Sequence, residues 1–144
     1  MKKLILILIL ATAVLSSRAQ TTDMATADNY FAAKSYNNAA GYYNRVLTID
    51  TANFKALRRM GYCTINMPGE EIYAAGYFQR ALKIQPSDPI SNYYMGIIFM
   101  DEAKRQTSEA AKSGFKVKAA TYLNKAISCG SKDAEGAVKL LNAI

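Results

Sequence analysis

One helical sequence pattern occurs three times in this chain, and this repetition restricts the possible folds more than any other feature. The copies begin at Ala39, Ala74 and Ala119, and the second follows the first by 35 residues (74 − 39). Each copy starts with a small residue, has a large apolar residue four positions later, and has another apolar residue three positions after that. Residues spaced by four and three share one face of a helix. The pattern therefore predicts a stack of helical hairpins in which each copy contributes one packed helix.

A more divergent helix is predicted before each copy. Apolar residues at spacings of three and four indicate these helices, and each has a small residue near its middle. The small residues are Ala27, Gly61 and Gly96. Pro68-Gly69 predicts a break after the second of these helices, and Asp88-Pro89 predicts the N-cap and first turn of the third.

The two ends of the repeated region are predicted as follows. A polar lead-in, with Thr22 or Asp23 as N-cap, precedes a helix that starts at about Met24. Gly130 ends the third copy, and Ser131 is expected to cap a last helix that shields the final repeat.

The third hairpin departs from the spacing of the others. Its two small residues are 23 positions apart (119 − 96), against 13 in the second hairpin (74 − 61). The similarity of Ala110–Ser113 to Ala32–Ser35, which precedes the first turn, favours a turn at Ser113-Gly114 and one long helix from Pro89 to about Lys112. The alternative places the break at 106–108, with Ser108 as N-cap and Glu109 in the first turn, and lengthens the second helix. In either case 101–105 extends beyond a hairpin of ordinary length.

The pattern resembles the tetratricopeptide repeat, a helix–turn–helix unit of about 34 residues. The matching residues are Ala27, Tyr30, Tyr36, Ala39, Tyr43 and Val46 in the first repeat, Leu57, Met60, Gly61, Ala74, Phe78, Ala81 and Pro86 in the second, and Met95, Gly96, Phe99, Ala119, Leu123 and Ala126 in the third. The resemblance implies an all-α fold, a right-handed α–α superhelix of three helix pairs followed by a C-terminal capping helix. The repeats would span about 20–53, 54–87 and 88–131, and the capping helix 132–143.

The first 19 residues are predicted to form a cleavable signal peptide. Lys2-Lys3 precedes an apolar run from Leu4 to Leu15, which is short for a membrane span and typical of the central region of a signal peptide. Small residues at Ser17 and Ala19 predict cleavage after Ala19, which leaves 20–144 as the mature domain. We therefore expect a periplasmic or secreted protein without a stable membrane span after cleavage.

Composition argues against several classes of function. The net charge of +7 falls to +4 (15 − 11) without the predicted signal peptide, which is a mild excess and not the dense basic patch of a nucleic-acid-binding protein. The chain has no histidine, so zinc sites and histidine-dependent catalysis lack their usual residues. Cys129 occupies the repeat position of Ile49 and Ile84 and is interpreted as a small buried apolar residue, whereas Cys63 lies within the helix of a different repeat. A Cys63–Cys129 disulfide is the alternative. We expect no catalytic site, no metal or other cofactor, and no nucleic-acid partner.

The resemblance also implies a binding surface, because the first helix of each tetratricopeptide repeat lines a concave groove that receives peptides or partner helices. The corresponding positions here are Asp28, Phe31, Lys55, Arg58, Tyr62, Ile65, Asn66, Tyr93, Ile97 and Met100. Aromatic and aliphatic side chains beside a basic cluster suit an extended or helical peptide that carries an acidic residue. The alternative is that these are ordinary surface residues.

We therefore expect an interaction module or adaptor whose partner is an unknown protein or peptide of the bacterial cell envelope. The alternative is a structural scaffold, a homo-oligomer that self-associates through the groove or through the extended third hairpin. An enzyme is not expected, since the adjacent acids Asp101 and Glu102 diverge around a helix and make a poor catalytic pair.

Overall fold

The computed structural model describes residues 19–144, and in this part of the protein all regular secondary structure is helical, without a strand. Helix α1 occupies residues 19–32. It is followed by α2 (Tyr36–Ile49), α3 (Phe54–Ile65), α4 (Glu71–Ile84), α5 (Pro89–Arg105), α6 (Glu109–Ser128) and α7 (Asp133–Leu141). The all-α prediction is confirmed for these residues. The predicted signal peptide lies outside them except for Ala19.

The chain divides into two compact units, the first ending at Ile72 and the second beginning at Tyr73. In the first unit, α2 packs against both α1 and α3. Ala27 of α1 and Ala39 of α2 have no exposed surface, as expected of small residues where two helices approach closely. In the second unit, α5, α6 and α7 surround a core that includes Leu123 and Leu141.

The three copies of the repeated pattern supply fully buried residues in both units, as the sequence predicts. Every residue of the three apolar triplets has a relative exposure of 0%. These residues are Ala39, Tyr43, Val46, Ala74, Phe78, Ala81, Ala119, Leu123 and Ala126. The spacing of four and three therefore identifies the core face of α2, α4 and α6 correctly.

The turn of the third hairpin does not lie at Ser113-Gly114, so the favoured prediction is wrong, and the alternative break at 106–108 is confirmed. Helix α5 ends at Arg105 and α6 begins at Glu109, with the Ser108 side chain accepting a hydrogen bond from the Ala111 backbone N–H at 3.5 Å. Glu109 at the start of α6 and basic residues at the end of α5 both favour these limits through the helix dipoles.

The extra residues of the third hairpin lengthen both of its helices. Helix α5 continues nine residues beyond Gly96 (105 − 96), whereas α3 continues four beyond Gly61 (65 − 61). Helix α6 starts ten residues before Ala119 (119 − 109), whereas α4 starts three before Ala74 (74 − 71). A break near the middle of the insertion lets the two extensions bury Ala103 and pair Phe99 with Phe115 at 6.3 Å.

Two predicted helix starts are corrected. Residues 19–25 are already helical, and Asp23 does not cap α1 but is buried and forms an ion pair with Arg45 at 3.1 Å. The positive charge of Arg45 offsets the energetic cost of burying the Asp23 carboxylate. At the other end, α7 starts at Asp133, and its N-cap position is occupied by Lys132 and not by Ser131.

Helices α1 and α6 end in the same backbone motif with different residues. After α1, the Lys34 N–H bonds the Phe31 carbonyl at 3.0 Å and the Ser35 N–H bonds the Tyr30 carbonyl at 2.9 Å. Gly130 and the residue after it repeat this arrangement at the end of α6. The residue at the pivot of the motif is left-handed in both, with φ of 57° at Lys34 and 92° at Gly130. Glycine adopts this conformation without strain, whereas lysine does not.

Lys34→Gly is therefore expected to stabilise the protein by about 0.5–1 kcal/mol, because relief of left-handed strain exceeds the added backbone entropy of the unfolded chain. Gly130→Ala provides the matched control and is expected to destabilise by a similar amount, about 1 kcal/mol. Urea unfolding of the three proteins measures both changes. A destabilised Lys34→Gly variant would show that the lysine side chain contributes more at this turn than its backbone strain costs.

Candidate functional site

Three aromatic rings from three helices meet on the first unit. The Phe31 ring of α1 lies 5.2 Å from that of Tyr62 in α3 and 5.9 Å from that of Tyr36 at the start of α2. The rings of Tyr36 and Tyr62 are 5.8 Å apart. All three side chains are partly exposed, and we call them the aromatic cluster. The turn between α1 and α2 brings Tyr36 back towards Phe31.

Basic residues of α3 adjoin the aromatic cluster. Lys55, Arg59 and Tyr62 are spaced by four and three residues, so they follow one face of the helix. The Arg59 guanidinium carbon lies 3.9 Å above the centroid of the Phe31 ring, a close cation–π contact. Its Nε atom is buried and has no hydrogen-bond partner among residues 19–144. The Phe31 ring therefore holds the Arg59 guanidinium in place, and the carboxylate of Asp28 interacts with its charge.

Asp28 links α1 to both neighbouring helices of the unit. The Tyr43 hydroxyl donates a hydrogen bond of 2.7 Å to one carboxylate oxygen, and the Lys55 ammonium pairs with the other. Burial opposes ionisation of Asp28, but the hydrogen bonds from Lys55 and Tyr43 and the charges of Lys55 and Arg59 outweigh it and hold the pKa below its ordinary value. Asp28 is consequently ionised at neutral pH, and its carboxylate is occupied by contacts with Tyr43 and Lys55.

Tyr43 is the titratable group most affected by this arrangement. Burial, the hydrogen bond to Asp28 and the charge of Asp28 all raise the pKa of the fully buried Tyr43 hydroxyl. Its folded-state pKa lies above the unfolded value of about 10, so this group stabilises the fold below pH ~10 and loses that contribution as the pH rises.

The free energy of unfolding is therefore expected to fall above pH ~10, with Tyr43 contributing at most ~1.4 kcal/mol per pH unit. Tyr43→Phe lacks this ionisation and is expected to have a smaller alkaline slope, although it is less stable at neutral pH because Asp28 loses a donor. Urea unfolding at a series of pH values measures the slopes. Parallel curves for the two proteins would contradict the assignment of this slope to Tyr43.

The other residues of α3 that were predicted for the binding surface are not part of the aromatic cluster. Arg58 lies over the Phe54 ring at 5.3 Å and is not the arginine that stacks on the aromatic cluster. Ile65 is partly buried. Asn66 is the C-cap of α3, and its side-chain amide donates to the Tyr62 carbonyl at 2.8 Å. It therefore fixes the end of the helix that carries Tyr62.

The predicted site residues of α5 belong mainly to the packing of the second unit. Met100 is 5% exposed and is a member of the core, and Tyr93 and Ile97 are half-buried against that core. Burial raises the pKa of Tyr93, with a further contribution from the charge of Asp133 at the start of α7. These three positions are thus largely occupied by contacts within the protein.

Arg59 is not among the residues that the sequence predicts for the binding surface, and Tyr36 is predicted only as a repeat-packing residue. The signal for Arg59 was present, because it lies four residues after Lys55 and three before Tyr62. Which of the two arginines, Arg58 or Arg59, stacks on the aromatic cluster depends on the position of Phe31. The sequence of α3 carries no information about that position.

Neither cysteine is in a disulfide. Cys63 is fully buried, and burial raises the pKa of its thiol to about 12 against the opposing charge of Arg59. It is therefore a neutral thiol at physiological pH and a poor nucleophile. Cys129 is partly exposed at the C-cap of α6, so its predicted burial is not observed.

Neither a model of a known protein family nor a curated protein matches this chain. Within residues 19–144, no group of three or more cysteine, aspartate or glutamate side chains is placed to hold a metal ion. No helix in this range is both long enough and apolar enough to cross a membrane.

Proposed function

We propose that this protein is a tetratricopeptide-repeat module that binds an acidic peptide or helix through the aromatic cluster and the basic residues of α3. The family assignment is supported by the complete burial of all three apolar triplets at repeat positions. It is also supported by the close approach of Gly96 to Leu123, since small residues at such positions allow the two helices of a repeat to cross. The right-handed superhelix of three helix pairs belongs to this proposal.

The stacking of Arg59 on Phe31 beside Tyr62 is the observation that carries the binding proposal. Partly exposed aromatic rings offer a large apolar contact at little cost in conformational entropy, and arginine beside them can bind a carboxylate. Lys55 and Arg59 carry two positive charges beside the carboxylate of Asp28, a local excess of +1 (2 − 1). The ligand proposed is accordingly a peptide with an apolar or aromatic side chain next to Asp or Glu.

The cell envelope is the proposed location, on the basis of the N-terminal segment. A positive pair, a short apolar run and small residues before Gln20 are typical of a cleavable signal peptide. A mature chain that begins at Gln20 in mass spectrometry is the expected result, and a chain that keeps Met1 would contradict export with cleavage.

Selection from a displayed random-peptide library, followed by fluorescence polarisation with the selected peptides, tests the binding proposal. We expect selected peptides to contain Asp or Glu beside an apolar residue. Tyr62→Ala and Arg59→Gln are each expected to weaken their binding by about tenfold or more, the range of hot-spot residues. Lys83→Gln, at an exposed position on α4, is the control and should bind normally.

Circular dichroism spectra should be the same for all these proteins, so that lost binding is not lost folding. Selected peptides without acidic residues, or equal binding by the wild type and Tyr62→Ala, would refute the proposed site.

A further inference from the structure

A shallow groove in the second unit lies between the first half of α6 and the residues that end α7. Its volume is about 440 Å³, and Val117, Leu141 and Ile144 contribute apolar surface to it. Helix α7 has 9 residues against 20 in α6, so it covers only part of the longer helix. Val117 remains 64% exposed as a result. We call this surface the α6–α7 groove.

The rim of the α6–α7 groove is basic. Lys112 and Lys116, one helical turn apart, both line it, together with the single acid Glu109. Neither lysine has an ion pair within the part of the chain that the structure describes. An apolar floor with a net positive rim is suited to an apolar segment that carries acidic residues.

A segment with these properties lies at the start of α4. Glu70 and Glu71 are exposed and have no ion pair among residues 19–144. They are followed directly by Ile72, which is 74% exposed, and Tyr73, which is 55% exposed. Of the large apolar side chains in the described range, Ile72 is the most exposed. We call Glu70–Tyr73 the acidic apolar segment.

We propose that a second copy of this chain is the occupant of the α6–α7 groove, which receives the acidic apolar segment. Two glutamates meet two lysines, while Ile72 covers Val117 and the apolar floor. The contact removes from water two of the most exposed apolar side chains of the described range. Because the two surfaces are different, the contact is head-to-tail, and a dimer keeps one free groove and one free segment for further copies. This inference does not depend on the aromatic cluster.

Charge-reversal variants of the mature chain test the proposal by analytical ultracentrifugation over a range of protein concentrations. The wild type is expected to gain mass with concentration, and less so at high salt. The Glu70→Lys, Glu71→Lys variant and the Lys112→Glu, Lys116→Glu variant are each expected to associate at least about tenfold more weakly, because like charges then face each other. An equimolar mixture of the two variants restores opposite charges and should recover association.

Two further proteins complete the test. Lys83→Glu, Lys125→Glu is the control, because it makes the same change in net charge as Lys112→Glu, Lys116→Glu at exposed positions outside both surfaces, and it should associate like the wild type. Ile72→Ser removes the apolar contact without altering charge, and should weaken association in the same way as charge reversal.

The proposal is overturned by a wild type that stays monomeric at every concentration, or by a mixture of the two charge-reversed proteins that does not recover. It is also overturned if Tyr62→Ala abolishes assembly, since the interface would then involve the aromatic cluster. Tyr62→Ala that assembles normally but binds no selected peptide supports two separate surfaces. Failure of peptide binding with intact assembly counts only against the proposed peptide site.

Discussion

Replacing Phe78 with alanine is expected to lower the free energy of unfolding by about 3–5 kcal/mol. Phe78 is the large residue of the second repeated triplet and has no exposed surface. Its ring stacks on Tyr94 of α5 with centroids 5.3 Å apart and an interplanar angle of 9°. Truncation removes this contact and leaves a cavity between α4 and α5. Since small domains are stable by about 5–15 kcal/mol in total, the variant should be close to unfolding.

Urea denaturation followed by far-UV circular dichroism measures this loss. Tyr73→Ala is a matched control, because Tyr73 belongs to the same helix but is 55% exposed, and it should cost less than about 1 kcal/mol. A loss below ~1 kcal/mol for Phe78→Ala as well would contradict the packing of α4 described above.

Leu123→Ala is expected to lower the free energy of unfolding by about 2–5 kcal/mol. When Gly96→Ala is added to the Leu123→Ala variant, part of that loss should be recovered. A methyl group on Gly96 would lie 2.5 Å from the Leu123 Cγ atom and 3.3 Å from the Ala119 carbonyl oxygen. Leu123 is fully buried in the core and cannot move aside freely. Gly96→Ala alone should therefore cost about 1–3 kcal/mol from overpacking, although alanine favours the helix.

A double-mutant cycle of these two residues measures the coupling. The combined variant is expected to be more stable than the sum of the single losses predicts, because the new methyl group occupies space that Leu123 vacates. Gly76→Ala is the control: no side chain approaches this exposed helical glycine, so it should stabilise by about 0.5–1 kcal/mol. Strict additivity, or a Gly96→Ala variant as stable as Gly76→Ala, would show that close approach does not determine the residue at position 96.

The two proposed surfaces would have separate roles. The aromatic cluster with Arg59 belongs to the first unit, whereas the α6–α7 groove belongs to the second. The groove exists because the insertion in the third hairpin makes α6 longer than the helix that follows it. The insertion thus provides a surface that a repeat without it would lack.

The sequence by itself determined the core face of the three repeated helices, because a helix face is defined by spacing within one segment. The triplet beginning at Ala39 and its two later copies are buried as predicted. Local signals also placed the start of α5, where Asp88 accepts a hydrogen bond from the Ser91 N–H at 2.8 Å before Pro89.

Only the tertiary structure decided the features that depend on residues distant in sequence. The third turn lies at 106–108 because that position pairs the two extensions and buries Ala103, whereas a local tetrapeptide similarity favoured Ser113-Gly114. The structure likewise selects Arg59 over its neighbour Arg58, because only Arg59 reaches the ring of Phe31, 28 residues earlier (59 − 31). Periodicity specifies a face of one helix, but the residue that faces a second helix is known only when both are in place.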